Sequence, residues 1–482
     1  MRLREIIADL KTVAIQGSID RPISGLIFDS REVTRGCLFF ALTGYQADGH
    51  NYISQAIEKG AKCIVHELPW EIEPGITFIR VANSREAMAL MAGNYFLRPS
   101  TKLMTIGITG TNGKTTTARI LHAILSQMGP AGLMGTAGHI ISGQEQKALR
   151  TTPESIEINT NFNELIAGGA IALVLEVSSH AIALHRTSYI DFDTAVFTNL
   201  SQDHLDFHRN LQEYFEVKAE LFKNLKTAAS AVINIDDSHG KLLLHRIKCN
   251  QVTYSLEDKN AAVFGEIISS SIDGIRMNIY FKNELIDLRS PLFGRPNAYN
   301  ILAAVSAALS VNCDFTAIQT AIRDFQGVRG RFELVDCGDF STIIDYAHTP
   351  KAVETAGSVL RDLTGERLLI VIGCGGGRDS LKRPQIAAAA EAFADEVFIT
   401  SDNPRNEDPE VIIEDMLSGI DNKDKIRTMT SRREAIHAAL SSARQGDVVA
   451  ILGKGHEDYQ EIQGIFHHFD DREVVMEWLG DK

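Results

Sequence analysis

The chain has 482 residues, 44% of them hydrophobic and 23% charged, with 48 Lys plus Arg against 62 Asp plus Glu, a formal net charge of -14. At roughly 150 residues per domain this length suggests about three domains, with the composition of a folded soluble protein. The acidic balance opposes a nucleic-acid-binding surface, but it leaves room for a phosphate site built from backbone N–H groups.

Six scattered cysteines (Cys37, Cys63, Cys249, Cys313, Cys337 and Cys374) form no CxxC pair. They read as reduced thiols of a cytoplasmic protein, not as a disulfide frame or zinc knuckle. The opening MRLREIIADL lacks the apolar segment of a signal peptide. No run of about 18 uncharged apolar residues predicts a membrane span.

Residues 1–100 read as a small α/β unit, with strand-like runs ending near Phe39-Phe40 and at Cys63-Ile64-Val65. The grammar changes in 101–330. A short apolar strand over 103–108 leads into a Gly/Thr loop and a helix through Met128. Further buried strands follow over 172–177, 194–198 and 231–235, then an antiparallel-looking stretch over 276–288 and a helix over 297–309. Strands alternating with helices predict a mostly parallel sheet. Residues 331–482 repeat the pattern, with strands predicted over 342–345, 367–373, 396–400, 426–429 and 448–452. Four of these strands run into unusual polar loops: Asp345-Tyr-Ala-His348, Gly373-Cys-Gly-Gly-Gly-Arg378-Asp379, Asp402-Asn403-Pro404-Arg405 and Gly453-Lys-Gly-His-Glu457. In a parallel sheet all carboxyl ends share one edge, so these loops are predicted to line a single crevice.

The loop Gly107-Ile-Thr-Gly110-Thr111-Asn112-Gly113-Lys114-Thr115-Thr116 follows a strand and opens a helix, the setting of a phosphate loop. Its glycines admit phosphate oxygens close to the backbone, and the helix start supplies free N–H groups. Lys114 adds a full charge, and the Thr115 hydroxyl can reach magnesium. The spacing is one residue longer than GxxxxGK[ST].

Glu176-Val-Ser178-Ser-His180 ends the second buried strand, where Glu176 reads either as a magnesium ligand or as a strand-end salt bridge. In Asp203-His204-Leu-Asp206-Phe-His208 the histidines have the i,i+4 spacing of a zinc site, but the Glu of HExxH is absent and no third ligand is evident nearby. Magnesium or nucleotide contact by His204 and a solvated turn remain its readings. In Gly373-Cys-Gly-Gly-Gly-Arg378 an arginine stands at the third glycine of GxGxxG, which disfavours a dinucleotide and suits a carboxylate or phosphate.

Taken together these stretches resemble the Mur ligases, which add amino acids to the peptidoglycan precursor. The long-spaced phosphate loop, Glu176-Val-Ser-Ser-His180, Thr198-Asn-Leu, Asp203-His-Leu-Asp206, Arg329-Gly-Arg331-Phe-Glu333, Asp345-Tyr-Ala-His348 and Asp402-Asn-Pro-Arg405 fall in that family's order over 1–482. The resemblance implies three domains: a small N-terminal α/β UDP-MurNAc-binding domain over 1–100, a central ATP-binding ligase domain with a mostly parallel sheet over 101–330, and a C-terminal Rossmann-like amino-acid-binding domain over 331–482. It implies an ATP- and magnesium-dependent cytoplasmic enzyme, expected to be a monomer. Its reaction joins meso-diaminopimelate to UDP-MurNAc-L-Ala-D-Glu through an acyl phosphate.

Phe28, Ser30, Tyr45, Gln46, Ala47, Thr151, Thr152, Ser178 and Arg186 match positions that hold the UDP-MurNAc-dipeptide. Asn297, Arg331, Asp345 and His348 would hold the nucleotide together with the phosphate loop. The resemblance implies catalytic roles for Lys114, Glu176, His204 and Lys218, and a metal held by Thr115, Glu176, His204 and Lys218. Lys218, ordinarily a solvated helix charge, is implied to be carbamylated. Arg378, Asp402, Asn403, Pro404, Arg405, Gly453 and Glu457 form the implied diaminopimelate pocket. There Arg405 offers a planar fork to the distal carboxylate, with a loop salt bridge as the alternative reading. Arg150 and Leu184 depart from the Asn and Gln of relatives and are not carried over. A lysine-adding relative, a folylpolyglutamate-synthetase-like ligase and a nucleotide-binding regulator without ligase activity are the rival readings.

Overall fold

A computed structural model describes residues 1–44, 47–71, 73–203 and 207–480. Three sheets, each flanked by helices, follow one another along the chain. The first contains β1 (Ala14–Gln16), β2 (Leu26–Ile27), β3 (Leu38–Phe40), β4 (Cys63–His66) and β5 (Thr77–Arg80) in the order β1-β5-β4-β3-β2.

The second contains β6 (Met104–Thr109), β7 (Ala131–Gly135), β8 (Gly138–Ile141), β9 (Gln144–Gln146), β10 (Ala172–Glu176), β11 (Thr194–Phe197), β12 (Ser230–Asn234), β13 (Asn250–Ser255), β14 (Val263–Ser271), β15 (Gly274–Phe281) and β16 (Glu284–Ser290). Its order is β16-β15-β14-β13-β12-β11-β6-β10-β7-β8-β9, parallel from β7 to β14 and antiparallel at both edges.

The third contains β17 (Glu333–Asp336), β18 (Ser341–Asp345), β19 (Leu368–Cys374), β20 (Glu396–Ser401), β21 (Ile426–Met429) and β22 (Val448–Leu452), ordered β17-β18-β22-β19-β20-β21. A separate hairpin pairs β23 (Tyr459–Ile462) with β24 (Ile465–His468).

The central strands are apolar runs buried on both faces; in β10 every residue of Ala-Leu-Val-Leu-Glu is buried. This is what a parallel sheet covered by helices on both sides requires. Two apolar clusters accordingly sandwich the second sheet, one around the helices Lys114–Ser126 and Arg295–Ser310, the other around Ser155–Ala167 and Leu211–Lys223. The third sheet repeats the arrangement.

The strands expected within 101–330 and 331–482 occur with ends shifted by a residue or so, as with 103–108 against Met104–Thr109. Strands β7 to β9 were not anticipated. Ala-Gly-Leu-Met-Gly has weak strand propensity, and β7 is held by its pairing with β10 instead.

Connectivity places the site. After β6 the chain crosses to β7 on one side, and after β11 to β12 on the other, while β6 and β11 are neighbours. Their carboxyl ends therefore border a switch-point crevice. Register brings Glu176 of β10 opposite Ile108 and Phe197 of β11 opposite Thr109, so the loops after all three strands meet.

Candidate active site

The phosphate loop lies at that crevice. Gly110 has φ +150, and a side chain there would collide with the Thr198 hydroxyl, so only glycine fits. The residues after β11 brace the loop. Asn199 accepts from Thr111 N at 2.9 Å through its carbonyl and from Asn112 N at 3.0 Å through its side chain. The Thr198 hydroxyl donates to the Asn112 carbonyl at 2.7 Å. Lys114 folds back over the loop, its Nζ donating to the carbonyls of Gly110 (2.9 Å) and Thr111 (2.8 Å). Burial pulls its pKa below the ordinary lysine value, against the opposing pull of Glu176 and Asp203.

Glu176 is 1% exposed and accepts three hydrogen bonds, from Thr115 Oγ1 (2.9 Å), Thr136 N (2.9 Å) and Thr136 Oγ1 (3.1 Å). Among the described residues it forms no salt bridge; its partners are hydroxyls and an amide. A carboxylate beside two hydroxyls is a set of hard oxygen donors, which fits magnesium. His204, Tyr45 and Gln46 lie outside the described residues, as do Leu205 and Asp206. His208 is buried, its Nε2 3.0 Å from the Ser179 hydroxyl. Among the described residues no group of three or more His, Cys, Asp or Glu could hold a metal.

Lys218 is not a solvated helix charge. It is 1% exposed, its Nζ donates to the Gly110 carbonyl at 2.9 Å, and it lies 4.5 Å from the centre of the Tyr214 ring. Burial first, and then the nearby Lys114, hold its pKa well below the usual lysine value, with Asp203 opposing.

A cavity of about 300 Å³ opens from this loop to the third sheet. Lys114, Thr115, Thr116, Asn297, Arg331, Asp345 and His348 all line it, so residues separated by more than 200 positions share one wall. The Arg331 guanidinium lies over the Tyr346 ring, 4.4 Å from its centre, and its buried Nε has no hydrogen-bond partner among the described residues. Asp345 accepts from Phe332 N and Ala347 N, both at 2.9 Å, and burial raises its pKa. Alongside lies a second cavity of about 550 Å³, where Asn199, Asn234, Tyr254, Tyr299 and Asn300 face Lys351 and Glu354. Sequence reading missed Asn300, although it stands three residues after Asn297 on one helix face and donates to it at 3.1 Å. It also missed Thr136, a turn residue with no local signature.

The four polar loops of the third sheet do converge, around a cavity of about 270 Å³ lined by Arg378, Asp402, Asn403, Arg405, Gly453 and Glu457. Pro404 is buried and does not line it. Asp203, Tyr346, His348 and Thr349 line both this cavity and the phosphate-loop cavity. Arg405 holds a left-handed backbone at φ +53. Its Nε donates to Glu461 Oε2 (3.1 Å) and its Nη1 to the Gly376 carbonyl (2.6 Å), so the loop salt bridge and the pocket position coexist. Two of its donors are thus committed inside the protein, which leaves less of the fork for a ligand than a free arginine has.

Thr151, Thr152, Ser178 and Arg186 gather beside Glu176. Thr152 Oγ1 donates to the Glu176 carbonyl (2.7 Å) and accepts from Ser178 N (3.1 Å), and Thr136 Oγ1, whose hydrogen goes to Glu176, accepts from Thr151 Oγ1 (3.1 Å). Arg186 is held by the Thr152 carbonyl (3.2 Å) and by Glu154 (3.0 Å), a residue the sequence did not single out. Glu154 also pairs with Arg85 of the first α/β unit at 3.3 Å. Phe28, Ser30 and Ala47 belong to that first unit and line none of the three cavities; Phe28 packs on its core, and the Ser30 carbonyl accepts from Lys59 at 2.9 Å. Arg150 sits 3.7 Å from Glu157.

Likeness to known proteins extends along most of the chain. Residues 22–95 match the family described as Mur ligase family, catalytic domain; 108–308 match Mur ligase middle domain; 330–455 match Mur ligase, glutamate ligase domain. The chain is 40% identical over 484 residues to the UDP-N-acetylmuramoyl-L-alanyl-D-glutamate–2,6-diaminopimelate ligase of Clostridium tetani, covering 99% of each protein. It is 42% identical over 461 residues to the protein of that name from Aquifex aeolicus, covering 95% of this chain and 94% of that one. A solved structure of a UDP-N-acetylmuramoyl-L-alanyl-D-glutamate–2,6-diaminopimelate ligase superposes with a TM-score of 0.71 at 33% identity, over 100% of this chain and 99% of the other. With likeness running through all three sheets at this level of identity, the chain belongs to the Mur ligase family.

Proposed function

We propose that this chain is an ATP-dependent ligase that joins diaminopimelate, in its meso form, to the D-glutamate of UDP-MurNAc-L-Ala-D-Glu during cytoplasmic synthesis of the peptidoglycan precursor. The observation that carries the reading is the junction of two cavities at Asp203, Tyr346 and His348. One contains the phosphate loop; the other sets Arg378 and Arg405 against Asp402 and Glu457. Cations facing carboxylates suit a zwitterionic amino-acid head.

A carboxylate and an amine do not condense in water. The glutamate side-chain carboxylate attacks the γ-phosphorus of ATP, ADP leaves, and an acyl phosphate forms. The diaminopimelate amine then attacks the acyl carbon, and inorganic phosphate leaves with the C–N bond made and a proton released. Loop N–H groups and the start of the helix Lys114–Ser126 hold the phosphates. Lys114 exchanges the Gly110 and Thr111 carbonyls for phosphate oxygens. Arg331, whose Nε has no hydrogen-bond partner among the described residues, serves the same anions from the C-terminal side. The 550 Å³ cavity suits the adenosine portion.

Thr115, Glu176, His204 and Lys218 are assigned to hold magnesium, which would supply charge neutralisation at the transferring phosphoryl group. Lys218 fits carbamylation because its depressed pKa supplies the neutral amine that adds to carbon dioxide, forming an N–C bond and releasing a proton. Thr151, Thr152, Ser178 and Arg186 hold the muramoyl-dipeptide. Phe28, Ser30, Tyr45, Gln46 and Ala47 hold the UDP. The domains are placed at 1–100, 101–330 and 331–482, a division that the three separate sheets support.

The test is phosphate release with UDP-MurNAc-L-Ala-D-Glu, ATP and magnesium. Meso-diaminopimelate should exceed L-lysine in kcat/KM by at least about 100-fold. Arg405→Ala should raise the KM for diaminopimelate roughly 30-fold, about 2 kcal/mol, with the KM for ATP unchanged. Equal use of the two amino acids, or an indifferent Arg405→Ala, sinks the assignment.

A further inference from the structure

Behind the four-loop cavity, and not in its lining, lies Lys454 with 0% of its surface exposed. Its Nζ is 3.3 Å from Asn403 Oδ1, 3.5 Å from Glu457 Oε2 and 3.6 Å from Asp402 Oδ1. Three side chains of the pocket wall thus converge on one buried ammonium, from the loops after β20 and β22. The Tyr459 ring closes the site at 5.5 Å. We infer that Lys454 is the positioning residue of the amino-acid pocket, holding Asp402, Asn403 and Glu457 in the arrangement that receives the ammonium group of the incoming amino acid; this rests on the reading of that cavity given above.

Two arguments carry it. The first is energetic. A fully buried ammonium loses its hydration, and its contacts of 3.3 to 3.6 Å are at the long end for charged partners. Replacing a whole buried ion pair by apolar groups is often neutral or stabilising, so fold stability alone gives little reason for placing this lysine and its carboxylate partners together. Two carboxylates placed together at a ligand wall give a good one, since a cation between them offsets their repulsion.

The second is orientation. The Asn403 Oδ1 accepts from Lys454 and, at 2.9 Å, from Glu461 N, which turns the Nδ2 to donate to Glu457 Oε2 at 2.8 Å. Lys454, together with the Glu461 N–H, thereby fixes which face of the amide points where, and through it the Glu457 carboxylate. Asp402 is anchored separately, its carbonyl accepting from Gln460 at 2.6 Å. The lysine's own entry into the core is set just before it, where the buried Arg432 donates to the Leu452 carbonyl at 3.1 Å.

Lys454→Met, close in shape and without charge, is assayed by phosphate release with each substrate varied in turn. The expected result is a KM for diaminopimelate at least tenfold higher, with kcat at saturating diaminopimelate within threefold of the parent and the KM values for ATP and UDP-MurNAc-L-Ala-D-Glu within twofold. A KM for diaminopimelate within twofold of the parent overturns the proposal, as does a rise of all three KM values together. If the methionine variant does not accumulate as folded protein, Lys454→Gln carries the same test. Failure of both to fold assigns Lys454 to core stability and overturns the proposal too. The parent and Arg405→Ala run alongside: a parent that does not use diaminopimelate refutes the functional reading, whereas a competent parent, a defective Arg405→Ala and an unchanged Lys454→Met refute this inference alone.

Discussion

Single residues here depart most from their ordinary chemistry where burial and charge act together. Lys218 is the clearest case. A lysine on a helix of mixed polarity is normally solvated, but the helix Leu211–Lys223 turns this one under the phosphate loop. The loss of hydration favours its neutral amine, the form that reacts with carbon dioxide. Enzyme stripped of carbon dioxide should lose activity and recover it with bicarbonate. Lys218→Ala should fall by at least about 100-fold and not respond. A bicarbonate-independent parent would remove the carbamate from the mechanism.

His456 is a second case: burial, then Arg331 and Arg329, push its pKa down to about 4 from the ordinary 6.5. The unfolded chain takes up a proton as pH falls below 6.5, while the folded protein resists until about 4. The stability this group contributes is present above 6.5 and is lost across that window. The Tm of the parent should therefore fall more steeply from pH 7 to 5 than that of His456→Gln. Parallel curves would show that another group dominates.

Among the elements, the C-terminal helix Asp471–Gly480 reaches the site without touching it. Its first residue, Asp471, receives both Nε and Nη2 of Arg432 at 2.7 Å, and neither side chain is exposed. The same Arg432 holds the end of β22, from which Gly453 to Glu457 depart. Asp471→Asn leaves a guanidinium buried without its counter-charge, which costs about 3–5 kcal/mol. Urea unfolding measures it; a loss below about 1 kcal/mol would mean the pair is better hydrated than its burial implies. The hairpin β23–β24 acts in a similar way on Arg405. Its Glu461 carbonyl accepts from Arg405 N (2.9 Å), and Gln463 N donates to the Arg405 carbonyl (2.7 Å), which secures the left-handed backbone.

At the scale of the whole molecule, the second and third sheets are joined through Val328–Arg331, and the site depends on that join. Gly330 has φ +66, and a side chain on it would meet the backbone of Gly455 and His456. Gly330→Ala should push this segment from the Gly453–Glu457 loop. Arg331 and the amino-acid pocket would move together, so KM should rise for ATP and diaminopimelate alike, by about tenfold or more. Steady-state kinetics separates this from Arg405→Ala, which acts on diaminopimelate alone; a Gly330→Ala defect confined to one substrate would show that the two cavities are not coupled there. The exposed pair Lys147–Asp458 (2.9 Å) also bridges these parts, but a solvated ion pair adds at most about 1 kcal/mol.

Much of the site was legible in the residues alone where chemistry is local. The phosphate loop is contiguous, needs Gly at two positive-φ positions, Gly110 and Gly113, and Lys-Thr at a helix start, and so declares itself. The four loops of the third sheet could be grouped because parallel strands put all their carboxyl ends on one edge. What the residues could not declare is whatever depends on long-range packing. The burial of Lys218 and Lys454, the hydroxyls gathered around Glu176, the Glu154 link between Arg85 and Arg186, and the commitment of Arg405 to Glu461 all join positions tens to hundreds of residues apart. Periodicity and spacing determined the α/β architecture and the nucleotide loop, because those obey short-range rules. Which lysines lose their water, and which carboxylates share a cation, was decided only by the tertiary structure, because hydration and charge pairing depend on what packs against a side chain rather than on its neighbours in the chain.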